Sequence, residues 1–328
     1  MDFKPKVLCT HKIPEVGLKI LSEYMEVMVL DGDSPIKSQL KAKLPLVDYL
    51  VPLLSVPITE DLINLSTSLK GIANYAVGYN NIDINAAKKK GILITHTPDV
   101  LTNATADIVW GLILAITRRI IEGDAICRRN EFTGWLPEYL LGFEVTGKTL
   151  GIIGAGRIGT AVGKRGIGFD MKIIYYSRTR KMDIEKEYGF IYREMDELLK
   201  EADIISINVP YTSETHHLIA KRELELMKPS AYLINTARGK ILDEFHLIKA
   251  LKNGKIAGAG LDVFYNEPDI SIELRNLSNV VLTPHIGSAT TEARNAMAVM
   301  VAKNLIAIEQ GIQPPNLIPE MRGYNSNK

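Results

Sequence analysis

The sequence predicts an α/β protein with two doubly wound parallel sheets. Three observations carry that prediction: the length, a regular alternation of short β-rich runs with helix-like segments, and one glycine-rich turn set between two apolar runs. A chain of 328 residues is too long for one ordinary core and suits two domains.

In the first hundred residues the β-rich runs are Val7-Leu8-Cys9, Val27-Met28-Val29-Leu30, Asp48-Tyr49-Leu50-Val51, Gly71-Ile72-Ala73-Asn74 and Ile92-Leu93-Ile94-Thr95. Strands separated by helix-length segments make a parallel sheet. One helix is expected to start at Ile58-Thr59-Glu60-Asp61, with Thr59 as the cap and acids in the first turn, and another to follow Asp83. A long helix is expected from 103 to about 127, apolar on most faces through Trp110, Leu112, Ile113 and Leu114. Such a helix must be covered on several sides, either between domains or in an oligomer interface, which suggests a homodimer.

The turn itself follows. Thr149-Leu150-Gly151-Ile152-Ile153 reads as a strand, residues 154–159 as a G-x-G-x-x-G turn opening a helix, and Lys172-Ile173-Ile174-Tyr175-Tyr176 as the next strand. Gly163, Gly166 and Gly168 predict that this helix is short or marginal, because an interior glycine costs up to about 1 kcal/mol relative to alanine. Further strands are expected at 203–207, 231–235, 259–263 and 280–283. A last helix, 291 to about 310, should return the chain to the first domain, so that two helices bridge two lobes with a cleft between them. Residues 323–328 read as a loose polar tail.

Composition narrows the function. The 39 basic and 38 acidic residues nearly cancel, and no basic patch interleaves with aromatics, so neither nucleic acid nor a membrane surface is expected as a partner. The apolar run 108–116 is far too short to span a bilayer. Cys9 and Cys127 are too few for a disulfide framework and lack zinc-site spacing, so no metal is expected and a cytoplasmic location fits, as does an N-terminus without a signal-peptide core. A small molecule is the expected ligand.

A lone G-x-G-x-x-G is weak, but strand, turn, helix and strand in succession are the context a dinucleotide needs. Gly154 permits the tight turn, Gly156 lets the backbone approach a pyrophosphate and Gly159 lets helix pack on strand, while Ala155, Arg157 and Ile158 complete the loop. Past the second strand comes Ser177-Arg178-Thr179-Arg180, with no acid at the position that would bind ribose hydroxyls. Hydroxyls of Ser177 and Thr179 and the guanidinium of Arg178 suit a 2'-phosphate, with Arg180 in support, so NADP(H) is expected over NAD(H).

Three later strand ends carry chemistry: Arg238 just past 231–235, Glu267 after 259–263 and His285 after 280–283. Taken singly they read as a surface charge, a turn residue before Pro268 and a strand-end histidine. Together they suffice for hydride transfer to a 2-keto acid: Arg238 holds the carboxylate and polarises the ketone, His285 supplies a proton, and Glu267 favours the imidazolium. His11, His96, His216, His217 and His246 carry no expected role.

The segments 76–83, 154–159, 235–239, 258–268 and 284–288 are similar to the D-isomer-specific 2-hydroxyacid dehydrogenase family, most closely its glyoxylate/hydroxypyruvate reductase branch, and they cover nearly the whole chain. The resemblance implies a Rossmann cofactor domain at 101–287 inserted in a flavodoxin-like substrate domain at 1–100 and 288–328. It implies that Arg238, Glu267 and His285 are the catalytic set and that amides of Val77 and Gly78 hold the substrate carboxylate while Leu53 faces the substrate. It further implies that Asp262 orients the nicotinamide amide, with Val209, Pro210, Thr236, Ala237 and Gly287 also at the cofactor. Trp135 resembles a tryptophan that reaches a neighbouring subunit. Two other readings share the fold: 3-phosphoglycerate dehydrogenase, against which stands the lack of a C-terminal regulatory extension, and a cofactor-sensing corepressor, for which no recognition segment is found.

Overall fold

A computed structural model of the chain describes residues 4–323. The tail expected over 323–328 therefore lies outside the described residues from 324 onward. Two compact units emerge, residues 1–101 with 289–328, and residues 102–288.

The first unit is a five-stranded parallel sheet of β1 (Lys6–Cys9), β2 (Glu26–Val29), β3 (Tyr49–Val51), β4 (Gly71–Ala73) and β5 (Leu93–Thr95), in the order β2-β1-β3-β4-β5. That is the flavodoxin-like order. Val7, Leu8, Cys9, Leu50 and Ile72 are fully buried, as strands covered on both faces must be. Burial pushes the Cys9 thiol up to about 12. Asp83 caps the helix Ile84–Lys89 by accepting from the Ala86 amide, whereas Thr59 stands at the N-cap of Glu60–Leu65 without a side-chain capping bond. The last long helix, Thr291–Glu309, packs on the helix Glu15–Tyr24 and on β4. Its end is pinned where the Tyr49 hydroxyl donates to Glu309 at 2.5 Å and Lys70 pairs with the same oxygen at 2.9 Å.

The second unit holds seven parallel strands: β6 (Thr149–Ile153), β7 (Lys172–Tyr176), β8 (Ile191–Tyr192), β9 (Ile204–Ile207), β10 (Tyr232–Asn235), β11 (Gly258–Leu261) and β12 (Val280–Leu282). Their order, β12-β11-β10-β9-β6-β7-β8, is the Rossmann order with one strand added at the far edge. Alternate residues feed two cores. Leu150, Ile152, Ile173, Tyr175 and Ile234 face one side, while Ile153, Ile174, Ile205, Ile207 and Leu233 face the other.

The apolar helix differs from expectation. It runs Thr102–Thr117, stops at a left-handed Arg119 (φ 53°), and a second helix, Ile120–Arg128, begins there. The Phe143 amide donates to the Thr117 carbonyl at 2.7 Å and the Thr117 hydroxyl donates back to the Ile113 carbonyl, so both of these carbonyls are occupied. The first helix is covered within its own unit: Trp110 stacks on Phe169 at 4.5 Å and donates to the Val162 carbonyl, and Leu112, Ile113 and Ile116 join the core on one sheet face. Exposed apolar side chains appear later, at Ile120, Ile121, Phe132, Trp135, Leu136 and Leu141. Among the described residues no helix is long and apolar enough to cross a membrane.

The helix after the glycine turn, Arg157–Ile167, is also longer than its glycines suggested. Gly163 and Gly166 are buried on the face against Phe190, Ile173 and Leu150, and Gly168 stands just past the end. A Cβ at Gly163 would lie 2.4 Å from the Phe190 ring. Helix propensity favours alanine there by up to about 1 kcal/mol, but overpacking of this kind costs about 1–3 kcal/mol, so overlap wins. Gly163→Ala should therefore lower the thermal midpoint in calorimetry, and a raised midpoint would show that Phe190 yields without cost.

Candidate active site

Chemistry in such sheets collects beyond the carboxyl ends of the strands, and three adjacent ends converge here. Beyond β10, the buried Asn235 locks the turn by accepting from the Ala237 amide and donating to the Arg238 carbonyl, at 3.0 and 2.9 Å. Arg238 is extended and half-buried, and one of its η nitrogens also donates to the Ala237 carbonyl at 2.6 Å. Next to it Gly239 is pressed against the loop after β11, since a Cβ would lie 2.0 Å from the Phe264 carbonyl. That contact brings the two loops together with no room for any other residue.

Beyond β11, Glu267 accepts from the Phe264 amide with one oxygen at 3.0 Å. Its other oxygen meets His285 Nδ1 at 2.7 Å. Beyond β12, His285 adopts a left-handed backbone (φ 53°), unusual for a residue with a side chain. Asp262 explains how it is held. This fully buried carboxylate accepts from the Thr283 hydroxyl (2.6 Å) and the Ile286 amide (2.8 Å) on one oxygen and from the Gly287 amide (2.8 Å) on the other. The three donors bracket His285. Nothing in the sequence flagged Thr283, whose role is visible only once β11 and β12 are neighbours.

Electrostatics follow from that geometry. Burial by itself raises the Glu267 carboxyl, but the His285 hydrogen bond and charge, the Phe264 amide and the Arg238 charge together hold it below the ordinary range. Burial lowers the Arg238 guanidinium, and the Glu267 charge opposes that.

At the glycine turn Gly154 has φ 93°, and a Cβ there would meet Val209 at 2.7 Å. Gly159 lies so close to the Gly154 carbonyl that a Cβ would sit 2.2 Å from it, while a Cβ at Gly156 would meet nothing within 4 Å. Open space at a helix start, with Ala155, Arg157 and Ile158 around it, fits a pyrophosphate. Asn208, beside Val209 and Pro210, adds a buried Oδ1 without a partner among the described residues. Ser177 Oγ accepts from the Ala155 amide at 2.9 Å, which the sequence did not reveal. Arg178 and Thr179 are exposed. Arg180 is otherwise engaged: its fork grips both Glu185 oxygens at 2.8 Å, and with Tyr175 brings that carboxyl down to about 2. Thr236 is buried at the head of the loop that carries Arg238, and Gly287 lies 3.2 Å, at its Cβ position, from Asp262.

Leu53, Val77 and Gly78 belong to the first unit, in the loops after β3 and β4. The Leu53 amide donates to the Thr10 hydroxyl. Among the described residues the Val77 and Gly78 amides meet no acceptor within hydrogen-bond distance.

Residues 110–287 match the family model described as D-isomer specific 2-hydroxyacid dehydrogenase, NAD binding domain. A glyoxylate reductase of Thermococcus litoralis is 54% identical over 320 residues, covering 96% of this chain and 97% of that protein. One of Pyrococcus furiosus is 52% identical, covering 96% and 95%. Among solved structures, a Thermus thermophilus protein superposes with a TM-score of 0.90 at 42% identity, covering 95% of this chain and 99% of its own. An NADPH-dependent glyoxylate/hydroxypyruvate reductase of Sinorhizobium meliloti, in complex with NADP and malonate, gives 0.87 at 33% identity, with 97% of each chain covered.

The balance at Glu267 is testable. With His285→Leu, burial is left without its chief opponent, so the Glu267 carboxyl should titrate higher than in the parent. Carbon-13 NMR of the labelled side chain reads this directly, and an unchanged or lower midpoint would mean that His285 does not hold the carboxylate.

Proposed function

The chain belongs to the D-isomer-specific 2-hydroxyacid dehydrogenase family, and from that premise we propose that it reduces glyoxylate or hydroxypyruvate to the 2-hydroxy acid with a reduced nicotinamide cofactor. The observation that carries this reading is the 2.7 Å pairing of His285 with Glu267 beside Arg238 on adjoining strand ends. When bound, the cofactor supplies the hydride. Amides of Val77 and Gly78 receive the substrate carboxylate, with Leu53 at the same substrate. Arg238 presents its planar fork to the carboxylate and ketone oxygens, and burial strengthens that contact. His285, oriented through Nδ1 by Glu267, gives the proton on Nε2 to the nascent alkoxide. Glu267 stays ionised and steadies the imidazolium. Asp262, Thr236, Ala237 and Gly287 lie at the nicotinamide end, and residues 154–159 with Val209 and Pro210 hold the rest. The names of the Thermococcus and Sinorhizobium relatives support the substrate class.

NADPH is proposed over NADH. Arg178 is exposed and, among the described residues, within 4 Å of no carboxylate, while Ser177 and Thr179 offer hydroxyls beside it and no acid stands at the turn. The Sinorhizobium relative, described as NADPH-dependent, supports this choice. A homodimer is proposed as well, through the exposed apolar side chains between 120 and 141, of which Trp135 at 81% exposure is the most prominent.

Loss of reduced-nicotinamide absorbance with a panel of 2-keto acids tests the activity, with glyoxylate and hydroxypyruvate expected to be turned over. Turnover of none would favour the cofactor-sensing reading. Arg238→Lys should lose far more kcat/KM than its retained charge suggests, because an ammonium lacks the planar fork; near-parental efficiency would remove Arg238 from the substrate. For the cofactor, the parent should prefer NADPH by about tenfold or more, since each charge-assisted phosphate contact contributes about 1.5–3 kcal/mol. Arg178→Ala should erase most of that ratio. Equal efficiency with both cofactors in the parent, or a ratio indifferent to the alanine, would show that this turn does not read the phosphate.

A further inference from the structure

The Val77 and Gly78 amides can serve an anion only if the loop that bears them is turned the right way, and the carbonyls of the same loop record how that is done. The Ala76 carbonyl accepts from the Thr97 amide at 2.9 Å. The Val77 carbonyl lies 2.8 Å from His96 Nδ1. The Gly78 carbonyl accepts from Asn74 Nδ2, also at 2.8 Å. Three consecutive carbonyls are thus drawn toward β4 and β5, and the Val77 and Gly78 amides are left without an acceptor among the described residues. Consecutive amides freed in this way form an anion-binding concavity.

We infer that His96 is a positioning residue for substrate binding: by donating from Nδ1 to the Val77 carbonyl it fixes the Val77–Gly78 peptide plane, whose Gly78 amide receives the substrate carboxylate. The inference rests on the proposed function and adds to it a residue that acts through the Val77 carbonyl. A carbonyl only accepts, so Nδ1 must carry a proton, and the tautomer is set by the bond itself. His96 is well anchored for this task. Its amide donates to the Asn316 carbonyl at 3.1 Å, and its ring meets Tyr79 edge-on, with centroids 5.4 Å apart. Tyr79 is steadied in turn by donating to Glu320 at 3.0 Å. On the other side, the fully buried Asn74 pairs with Asn81 through both amide groups at 3.1 Å, and Asn81 also donates to the Leu53 and Val56 carbonyls. Leu53 is thereby tied to the same assembly. His96 sits one residue beyond β5, a strand end like those that bear Arg238, Glu267 and His285 in the second unit.

Two substitutions separate the hydrogen bond from the packing. His96→Asn keeps a donor near the position of Nδ1 and loses the ring, while His96→Phe keeps a ring against Tyr79 and loses the donor. Oxalate, a dicarboxylate of glyoxylate's size, is the binding probe, titrated by calorimetry into the protein loaded with oxidised cofactor. The phenylalanine variant should bind oxalate about fivefold or more weakly, the loss that one hydrogen bond represents, and raise KM for glyoxylate alike with little change in kcat or in KM for the cofactor. The asparagine variant should stay within about twofold of the parent, since its amide replaces the lost donor. Parental oxalate affinity in the phenylalanine variant, or equal weakness in both variants, would overturn the inference. Should the parent reduce no 2-keto acid yet the oxalate affinities follow this pattern, the cradle stands and the substrate assignment falls.

Discussion

A buried carboxylate met by neutral donors is the constraint on which the site of the second unit depends. Asp262 has no exposed surface, and a polar group so placed is tolerated only when its lone pairs are met by donors. They are met by Thr283, Ile286 and Gly287, all from the loop after the neighbouring strand. The chain between these donors has little freedom, and His285 is the residue carried in the left-handed backbone that results. Its pairing with Glu267 follows from that placement. The cost of the strained residue, about 1–3 kcal/mol, is offset by hydrogen bonds made elsewhere.

The two units use a common device for different ends. In the second, a side chain accepts from amides and so aims an imidazole. In the first, side chains donate to carbonyls and so leave amides unsatisfied. Both cases illustrate that a peptide group has two sides, and that satisfying one of them decides what the other can do. The residues responsible, Asp262, Asn74 and His96, stand at or just beyond strand ends, where a rigid sheet defines their positions.

Much of this was legible in the sequence, for reasons that also explain the failures. Runs such as Val7-Leu8-Cys9 and Ile152-Ile153 announce buried strands, and strand ends then locate Arg238, Glu267 and His285. Short or compensated features were hidden. β8 contributes only Ile191 and Tyr192, too few to show a period. The break at Arg119 arises from the Phe143 amide, distant in sequence, rather than from a glycine or proline. Gly163 and Gly166 suggested a weak helix because propensity sees the backbone alone, whereas Phe190 and Ile173 press on that face. Arg180, expected to support Arg178, is instead gripped by Glu185, a pairing that composition at the turn does not show. His96 also follows a strand, but its bond to the Val77 carbonyl joins residues 19 apart and leaves no local signal.

The bond from the Ala155 amide to the Ser177 hydroxyl joins the glycine turn to the turn that follows β7. An aspartate at 177 would also carry an oxygen able to accept this amide, so on the proposed NADPH preference the charge of the turn could change while the glycine turn kept its acceptor. Alanine at 177 would remove that acceptor and leave the Ala155 amide without this partner.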